Sequence, residues 1–396
     1  MIIKPKVIRG MAMATHPVGC KQEVLSEIEY VKKQGCYQGA KKALILGASS
    51  GYGLATRISL AYGSGADTIG VSFENGPDEK RQGTAGWWNN IFFKEEAEKS
   101  GLKAKNFIGD AFSDDMRNQV IEYIKTEFGG KIDLLVYSLA SPKRMNPRDG
   151  VLYSSTLKST TTEINGPTIN LDKGELVEGK ISVATPEDIA QTVKVMGGED
   201  WKFWVEMLKE AGVLAEGFKT VAYSYIGPKA TYAIYKDGTI GAAKRDLEKS
   251  VNELKEYVKD IHGEALISVN KAVVTKASAF IPLFSLYAAA LYKVMKEMNI
   301  HEGVIEHTDR LFRDMMYGNK REYDENGMLR PDSWEMREDV QERVVEYMKK
   351  ATPENFKEFT DYEGFYRDFM NLSGFCIEGV DYDADVDMDS LSKLCY

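Results

Sequence analysis

Ala43-Leu44-Ile45-Leu46-Gly47-Ala48-Ser49-Ser50-Gly51-Tyr52-Gly53-Leu54 is the stretch on which the reading of the whole chain turns. A short apolar run gives way to glycines in a G-x3-G-x-G pattern, and an amphipathic helix starts near Leu54. Glycines let a backbone turn sharply and approach a pyrophosphate closely, while the free N–H groups and positive end of a helix favour the anion. A glycine trio alone is weak evidence, and a plain strand-to-helix turn is its bland alternative; the strand before and the helix after give it weight. Gly47, Ala48, Ser49, Ser50, Gly51 and Tyr52 are therefore expected to cradle a dinucleotide.

Outward from this loop, short apolar runs alternate with amphipathic stretches, the rhythm of βαβ units that build a parallel sheet. Strands are expected at 43–46, 68–73, 104–108 and 134–138, and helices at 54–62, 87–100 and 113–128, the last capped by Ser113-Asp114-Asp115. From Val151 to Val183 a Thr-rich alternation punctuated by Asn165-Gly166 and Lys173-Gly174 favours inserted hairpins, followed by helices at 186–196 and 201–211. The parallel rhythm resumes with strands at 220–226 and 265–269 around a helix at 241–261. Beyond Ala277 the chain reads as largely helical, and after Ser373 the periodicity fades.

The expected fold class is α/β: a Rossmann-type, short-chain dehydrogenase-like parallel sheet flanked by helices, with inserted hairpins and extra helices. One enlarged domain over 1–396 is expected, with a dinucleotide-binding core at about 41–150 and 218–276. The insertion falls at about 151–217, and substrate-side and C-terminal helices at about 277–396.

Phe73-Glu74 ends the second strand about 20 residues beyond the loop, where a carboxylate can bind the adenosine ribose hydroxyls and repel a 2'-phosphate. NADH is favoured over NADPH, a preference that Lys80 and Arg81 just downstream can soften. Asp110-Ala111 is placed to meet the adenine, with a turn or cap role for Asp110 as the alternative. Leu139-Ala140-Ser141 after the fourth strand would run beside the ribose and nicotinamide. In Val273-Val274-Thr275-Lys276, backbone groups and the Thr275 hydroxyl can fix the nicotinamide amide, while Lys276 reads as a surface residue.

Tyr223-Ser224-Tyr225-Ile226-Gly227, then Tyr235, then Lys244 supply an acid and a cation. When hydride adds to the β-carbon of an enoyl thioester, negative charge collects on the thioester oxygen, so a phenol aimed there stabilises the enolate. Tyr235 is the candidate donor, and Lys244 the cation that supports its anion while binding the cofactor ribose. Nine steps of about 100 degrees would put the two on opposite faces of a continuous helix, so a turn at Asp237-Gly238 is expected to leave Tyr235 in a loop. Tyr225, at the strand end, is a candidate to bind the thioester carbonyl. With 21 tyrosines in the chain, position after the strand is what singles these out.

Other chemistries find no footing. The net charge of -9 lacks the clustered basic surface that phosphate-backbone recognition needs, Lys143-Arg144 being only a short run, so no nucleic-acid partner is expected. Cys20, Cys36, Cys376 and Cys395 show no CxxC spacing, and His16, His262, His301 and His307 no H-E-x-x-H, so no metal or disulfide is expected. His16-Pro17 and Trp87-Trp88-Asn89-Asn90 are conspicuous without a chemical role that the sequence can assign. The N-terminus lacks the features of a secretory signal, and the most apolar stretch, Ala277 to Tyr292, contains Pro282 and falls short of the roughly 20 residues that span a bilayer. A cytoplasmic protein without stable membrane insertion is expected, that stretch being a buried or substrate-lining helix.

Gly47 to Gly53, Phe73-Glu74, Tyr225, Tyr235, Lys244 and Val273 to Thr275 together resemble the trans-2-enoyl-CoA reductases and the similar FabV-type enoyl-acyl-carrier-protein reductases. The likeness runs the length of the chain, through Ile2-Ile3-Lys4-Pro5, His16-Pro17-Val18-Gly19-Cys20, Gly86-Trp87-Trp88-Asn89-Asn90 and Val195-Met196-Gly197-Gly198-Glu199-Asp200-Trp201 to Tyr287. It implies a bound NADH, a Tyr-x8-Lys pair with Tyr235 as proton donor, a substrate-binding Tyr225, and a monomer acting on enoyl-CoA or enoyl-acyl-carrier-protein. Val273 and Trp88 stand where some relatives have leucine and tyrosine. The implied reaction is NADH-dependent saturation of a trans-2-enoyl thioester, such as crotonyl-CoA, in fatty acid metabolism. Two other classes stay open: a carbonyl-reducing short-chain dehydrogenase, which would oxidise NADH with 3-oxoacyl thioesters, and an NADH sensor without turnover, which needs no catalytic tyrosine. Phe280, Phe284 and Tyr287 are expected to favour short acyl chains if they close the far end of the pocket.

Overall fold

A computed structural model of the chain describes residues 1–8, 11–79, 81–276, 278 and 281–394. All six expected strands are present: β1 Lys42–Leu46, β2 Asp67–Ser72, β3 Ala104–Ile108, β4 Ile132–Tyr137, β5 Leu214–Ser224 and β6 Glu264–Val269. They form one parallel sheet in the order 3-2-1-4-5-6, the doubly wound arrangement in which the chain reverses direction of travel between β1 and β4. β1 sits at the centre and pairs with β2 on one side and β4 on the other, Ile45 lying beside both Gly70 and Val136. Its apolar residues run continuously because both faces are covered. Leu44 and Leu46 pack in a core with Val120 and Trp204, whereas Ala43 and Ile45 face Leu311, Phe312 and Met315.

The helices between these strands follow the sequence closely. α1 Pro17–Lys33 precedes the sheet and was not marked by strong periodicity; His16 caps it, its Nδ1 accepting from Gly19 N at 3.1 Å, and Pro17 takes the first position, where its missing N–H costs nothing. The His16-Pro17 pair is thus a helix start. α2 Gly51–Ser59, α3 Ala85–Lys99 and α4 Asp114–Thr126 complete the first half, and Ser113 caps α4 by accepting from Met116 N at 3.1 Å.

The insertion between β4 and β5 holds two hairpins and two helices. Lys143–Met145 pairs with Leu152–Ser154, and Ile164–Asn170 with Glu175–Ile181. Asn165-Gly166 is not a turn: Gly166 lies within a strand opposite Gly179, and the chain reverses at Lys173-Gly174, where Gly174 takes a φ of +67°. Two glycines facing one another make room for a neighbour, since Leu283 packs against both. α5 Pro186–Met196 and α6 Glu199–Glu210 follow, and Asp200 at the start of α6 accepts from Tyr137 Oη at 3.1 Å and from the buried Arg117 guanidinium. The Tyr137 hydrogen bond ties the insertion to the end of β4, and the buried ion pair with Arg117 ties it to α4.

After β5 come the one-turn helix α7 Tyr232–Tyr235 and α8 Thr239–Tyr257; after β6, α9 Phe284–Glu297, α10 Val304–Arg310, α11 Glu338–Lys350 and α12 Tyr362–Asn371. α9 is buried on nearly every side because the second hairpin, α11 and α12 surround it. Among the described residues no helix is long and apolar enough to cross a membrane. Cys20, Cys36 and Cys376 are unpaired, and Cys395 lies outside the described residues.

Candidate active site

The glycine loop leaves β1 at the point where β1 and β4 part. Gly47 has a φ of +84°, and a methyl group there would sit 2.1 Å from the carbonyl oxygen of Ser138. A side chain at Gly53 would meet the carbonyl oxygen of Gly47 at 1.9 Å, so both glycines are required by the close approach of the loop to β4 and of α2 to the loop. Ser50 makes no capping bond, which leaves the first-turn N–H groups of α2 open toward an anion.

Ser49 Oγ donates to Glu74 Oε1 at 2.5 Å, joining the loop to the residue after β2. Phe73 beside it is 76% exposed, which suits a flat ligand surface rather than a core role. Lys276 is exposed, as its surface reading expects, with its ammonium 3.7 Å from Glu74 Oε1, and Thr275 Cγ2 would be 3.2 Å from a methyl at Gly51. The segment after β6 therefore folds back over the glycine loop. Val273 and Val274 within it are buried, while the N–H and hydroxyl of Thr275 are engaged with Ser278 at 2.8 and 3.2 Å. Ser278 Oγ also donates to the Val273 carbonyl at 2.8 Å, so this segment is fastened internally as well as over the loop.

Asp110 takes its turn role, Oδ1 accepting from Phe112 N at 2.9 Å, and Ala111 is buried with its carbonyl accepting from Trp204 Nε1 at 3.0 Å. Leu139 is half-buried beside Gly47 and Ala140 is exposed. Lys80 lies outside the described residues, and Arg81 pairs with Asp78 at 2.8 Å, away from Glu74. Sequence reasoning assigned nothing to Trp87-Trp88-Asn89-Asn90, yet α3 buttresses the loop. Asn89 Nδ2 donates to the Ser49 carbonyl at 3.0 Å, and a side chain at Gly86 would strike Glu74 Oε1 at 2.0 Å. Tyr52 points inward, its hydroxyl donating to the Lys271 carbonyl at 2.6 Å.

On the far side of β5 the tyrosines gather. Tyr235 ends the one-turn α7 rather than standing in a loop, and the break before α8 falls at Lys236 to Gly238. Gly238 allows that break because a side chain there would lie 2.0 Å from the Ile234 carbonyl. Tyr235 is 7% exposed, its ring packing edge-on against Tyr225 with centroids 4.5 Å apart and against Phe284 at 6.0 Å. No described residue hydrogen-bonds its hydroxyl; burial first, and the Glu335 charge second, raise its pKa well above 10. Lys244 Nζ donates to the Tyr223 carbonyl at 3.1 Å instead of to Tyr235, and burial lowers its pKa to about 8.

Phe284 and Tyr287 on α9 complete the apolar wall, and Phe280 lies outside the described residues. The residue that sequence reasoning missed is Glu335, wholly buried at the end of the turn Pro331–Trp334. Its carboxylate accepts from Tyr225 at 3.0 Å, from Tyr287 at 2.6 Å and from Ala272 N at 2.6 Å. An acidic residue more than a hundred positions downstream carries no local signal of such a role.

Three family models match consecutive parts of the chain. They are described as the NAD(P)H binding domain of trans-2-enoyl-CoA reductase over residues 2–79, the trans-2-enoyl-CoA reductase catalytic region over 81–317, and the enoyl reductase FAD binding domain over 323–386. The chain is 57% identical to a trans-2-enoyl-CoA reductase (NADH) of Clostridium beijerinckii and 54% identical to an enoyl-acyl-carrier-protein reductase (NADH) of Photobacterium profundum, each match covering all of both proteins. The crystal structure of the Clostridium acetobutylicum trans-2-enoyl-CoA reductase in complex with NADH superposes with a TM-score of 0.98 at 52% identity, again covering all of both chains. The glycine cradle, uncapped helix start and Glu74 fit a dinucleotide. The residues of 323–386 do not fit a flavin: Val340, Val344, Phe365 and Phe369 pack into the core around α9, and the segment contributes no strand to the sheet. With more than half its length matched by the catalytic-region model and whole-length identity of 57% and 54% to two relatives, the chain belongs to the trans-2-enoyl-CoA reductase family.

Proposed function

We infer that this chain reduces the carbon-carbon double bond of trans-2-enoyl thioesters with NADH, the acyl group being carried on coenzyme A or on acyl carrier protein. The observation that carries the reading is Tyr235: a buried phenol with an unpartnered hydroxyl in an aromatic pocket, in a chain whose full-length relatives are named as NADH-dependent enoyl reductases. Bound NADH supplies the hydride that adds to the β-carbon. As the π bond opens, charge passes to the thioester oxygen, and the Tyr235 hydroxyl hydrogen-bonds to it; the phenolic proton is then delivered to the α-carbon as the enolate returns to the thioester carbonyl, and solvent reprotonates the phenolate. The aromatic walls of Tyr225, Phe284 and Tyr287 exclude water from that oxygen. Glu74 favours NADH over NADPH by its charge, with its Lys276 partner moderating the repulsion. The reading extends to a cytoplasmic monomer, and to one folding unit, the latter supported by Tyr235, Phe284 and Val344 sharing one core across two of the matched regions.

Crotonyl-CoA is expected to drive NADH oxidation, with little from 3-oxoacyl thioesters or NADPH; turnover with the 3-oxoacyl substrate alone would transfer the chain to carbonyl reduction. Cofactor binding with no turnover on enoyl-CoA or enoyl-acyl-carrier-protein would leave a sensor. Comparing the two carriers at equal concentration ranks them.

Lys244 sets an alkaline boundary. Its ammonium is protonated below about 8 and neutral above, so kcat/KM is expected to fall as the pH rises through about 8. Tyr235 stays protonated over this range, so it is not the group lost. In Lys244→Met that limb should vanish, with kcat/KM reduced about 100-fold at neutral pH; an unchanged limb would assign it elsewhere. For stability the sign is opposite: the folded value lies below the ordinary 10.5, so the penalty for charging Lys244 is full below about 8 and fades as the pH rises toward 10.5.

A further inference from the structure

We propose that Glu335 is a positioning residue for the reduction: by accepting the phenolic proton of Tyr225 it fixes that hydroxyl as an acceptor toward the pocket and leaves Tyr235 as the phenol free to donate to the substrate. The proposal rests on the enoyl-reductase reading above.

With Glu335 ionised, the hydrogen-bond inventory sets the polarity. Ala272 N–H can only donate, so Glu335 Oε2 accepts it at 2.6 Å. Gln341 Nε2 donates to the Tyr287 hydroxyl at 3.1 Å, so Tyr287 directs its own proton to Glu335 Oε1 at 2.6 Å. Both carboxylate oxygens are thus acceptors, and Tyr225, 3.0 Å from Oε1, donates as well. A phenol has one proton, so Tyr225 has none left for a thioester oxygen. In this proposal Tyr225 offers the substrate its ring and lone pairs rather than a proton. Burial, with the Asp332 charge, raises the Glu335 pKa above its ordinary value, and the donors from Tyr287 and Ala272 N and the nearby Lys271 ammonium hold back the rise.

The carboxylate is held from outside. Gln341 Nε2 also donates to the Glu335 carbonyl at 2.6 Å, Arg310 Nη2 to the Pro331 carbonyl at 2.7 Å, and Arg330 clasps Asp332 at 2.7 Å. Through Ala272 N the same carboxylate anchors the exit of β6 that leads to Val273–Thr275. The segment matched as a flavin domain therefore serves this chain as the support for a hydrogen-bond acceptor in the reductase pocket.

The test uses the full chain with NADH and crotonyl-CoA, after the wild type has shown turnover; a wild type without turnover would strike the enoyl-reductase reading itself. Glu335→Gln presents an amide N–H to one set of donors, freeing the Tyr225 proton. The expected result is a kcat about tenfold lower, with the KM for crotonyl-CoA and the NADH Kd from fluorescence titration both within about threefold of wild type. Glu335→Asp, still acceptor-only, should recover much of that loss. In the Tyr225→Phe background the Glu335→Gln loss should disappear, the double variant matching Tyr225→Phe within about twofold. Losses that multiply in the double variant, or a Glu335→Gln enzyme with wild-type kcat, overturn the proposal. If Glu335→Gln does not fold, Glu335→Asp decides: kcat well within tenfold of wild type, with whatever is lost masked by Tyr225→Phe, supports the proposal, and a loss that multiplies with Tyr225→Phe overturns it.

Discussion

Replacing Tyr235 with phenylalanine should lower kcat with crotonyl-CoA by about 100- to 10,000-fold while leaving the fold and NADH affinity intact. The size follows from the role: a single phenol supplies both the hydrogen bond to the developing enolate and the proton. The selectivity follows from the packing. Tyr235 is held by its ring, edge-on to Tyr225 and Phe284, and no described residue bonds its hydroxyl, so phenylalanine fills the same space without orphaning a partner. Stopped-flow NADH oxidation, fluorescence titration with NADH and a thermal melt separate the three quantities. A variant that keeps kcat within tenfold of wild type would move the proton-donor role away from Tyr235. Tyr225→Phe makes the contrast, since it removes one of the three donors to a buried carboxylate and should disturb stability as well as rate.

Gly47→Ala should be the most damaging change in the cofactor loop. Two independent costs coincide there: a φ of +84°, strained for any residue with a Cβ, and a methyl group 2.1 Å from the Ser138 carbonyl oxygen. Neither can relax cheaply, because Ser138 N is tied to the Leu46 carbonyl at 3.0 Å at the point where β1 and β4 part. A loss of about 2–4 kcal/mol in stability is expected, with NADH binding weakened by about 100-fold or more as the loop is displaced. Gly101→Ala is the control. Gly101 has a similar φ of +77° with nothing within 4 Å, so it should lose only about 1–2 kcal/mol and bind NADH normally. Equal behaviour of the two variants would show that backbone conformation alone, without the close approach to β4, explains the Gly47 requirement.

Much of the fold was legible because it is written in short-range terms. The six strands and the helices between them follow from the change of apolar period along the chain, and Ser113 and Gly47 act on atoms within a few residues or at a fixed strand end. The dinucleotide loop could be placed for the same reason: its glycines, its strand and its helix are contiguous. Where sequence reasoning misjudged, the deciding contact was distant. Asn165-Gly166 has the composition of a turn, but it faces Gly179 because Leu283 fills the space above both. Lys276 is on the surface as read, and what the sequence did not show is that the fold-back of its segment brings it to Glu74.

The sequence by itself therefore determined the parallel α/β scaffold, the glycine cradle and the order Tyr225, Tyr235, Lys244 along one strand-to-helix connection. Only the tertiary structure decided which groups share protons inside the pocket. Glu335 reaches Tyr225 across 110 residues and Asn89 reaches the Ser49 carbonyl across 40, and each contact is fixed by how helices pack on the sheet. The physical reason is that periodicity and turn chemistry report the local backbone, whereas the partner of a buried hydrogen-bonding group is set by packing, for which separation along the chain carries no signal.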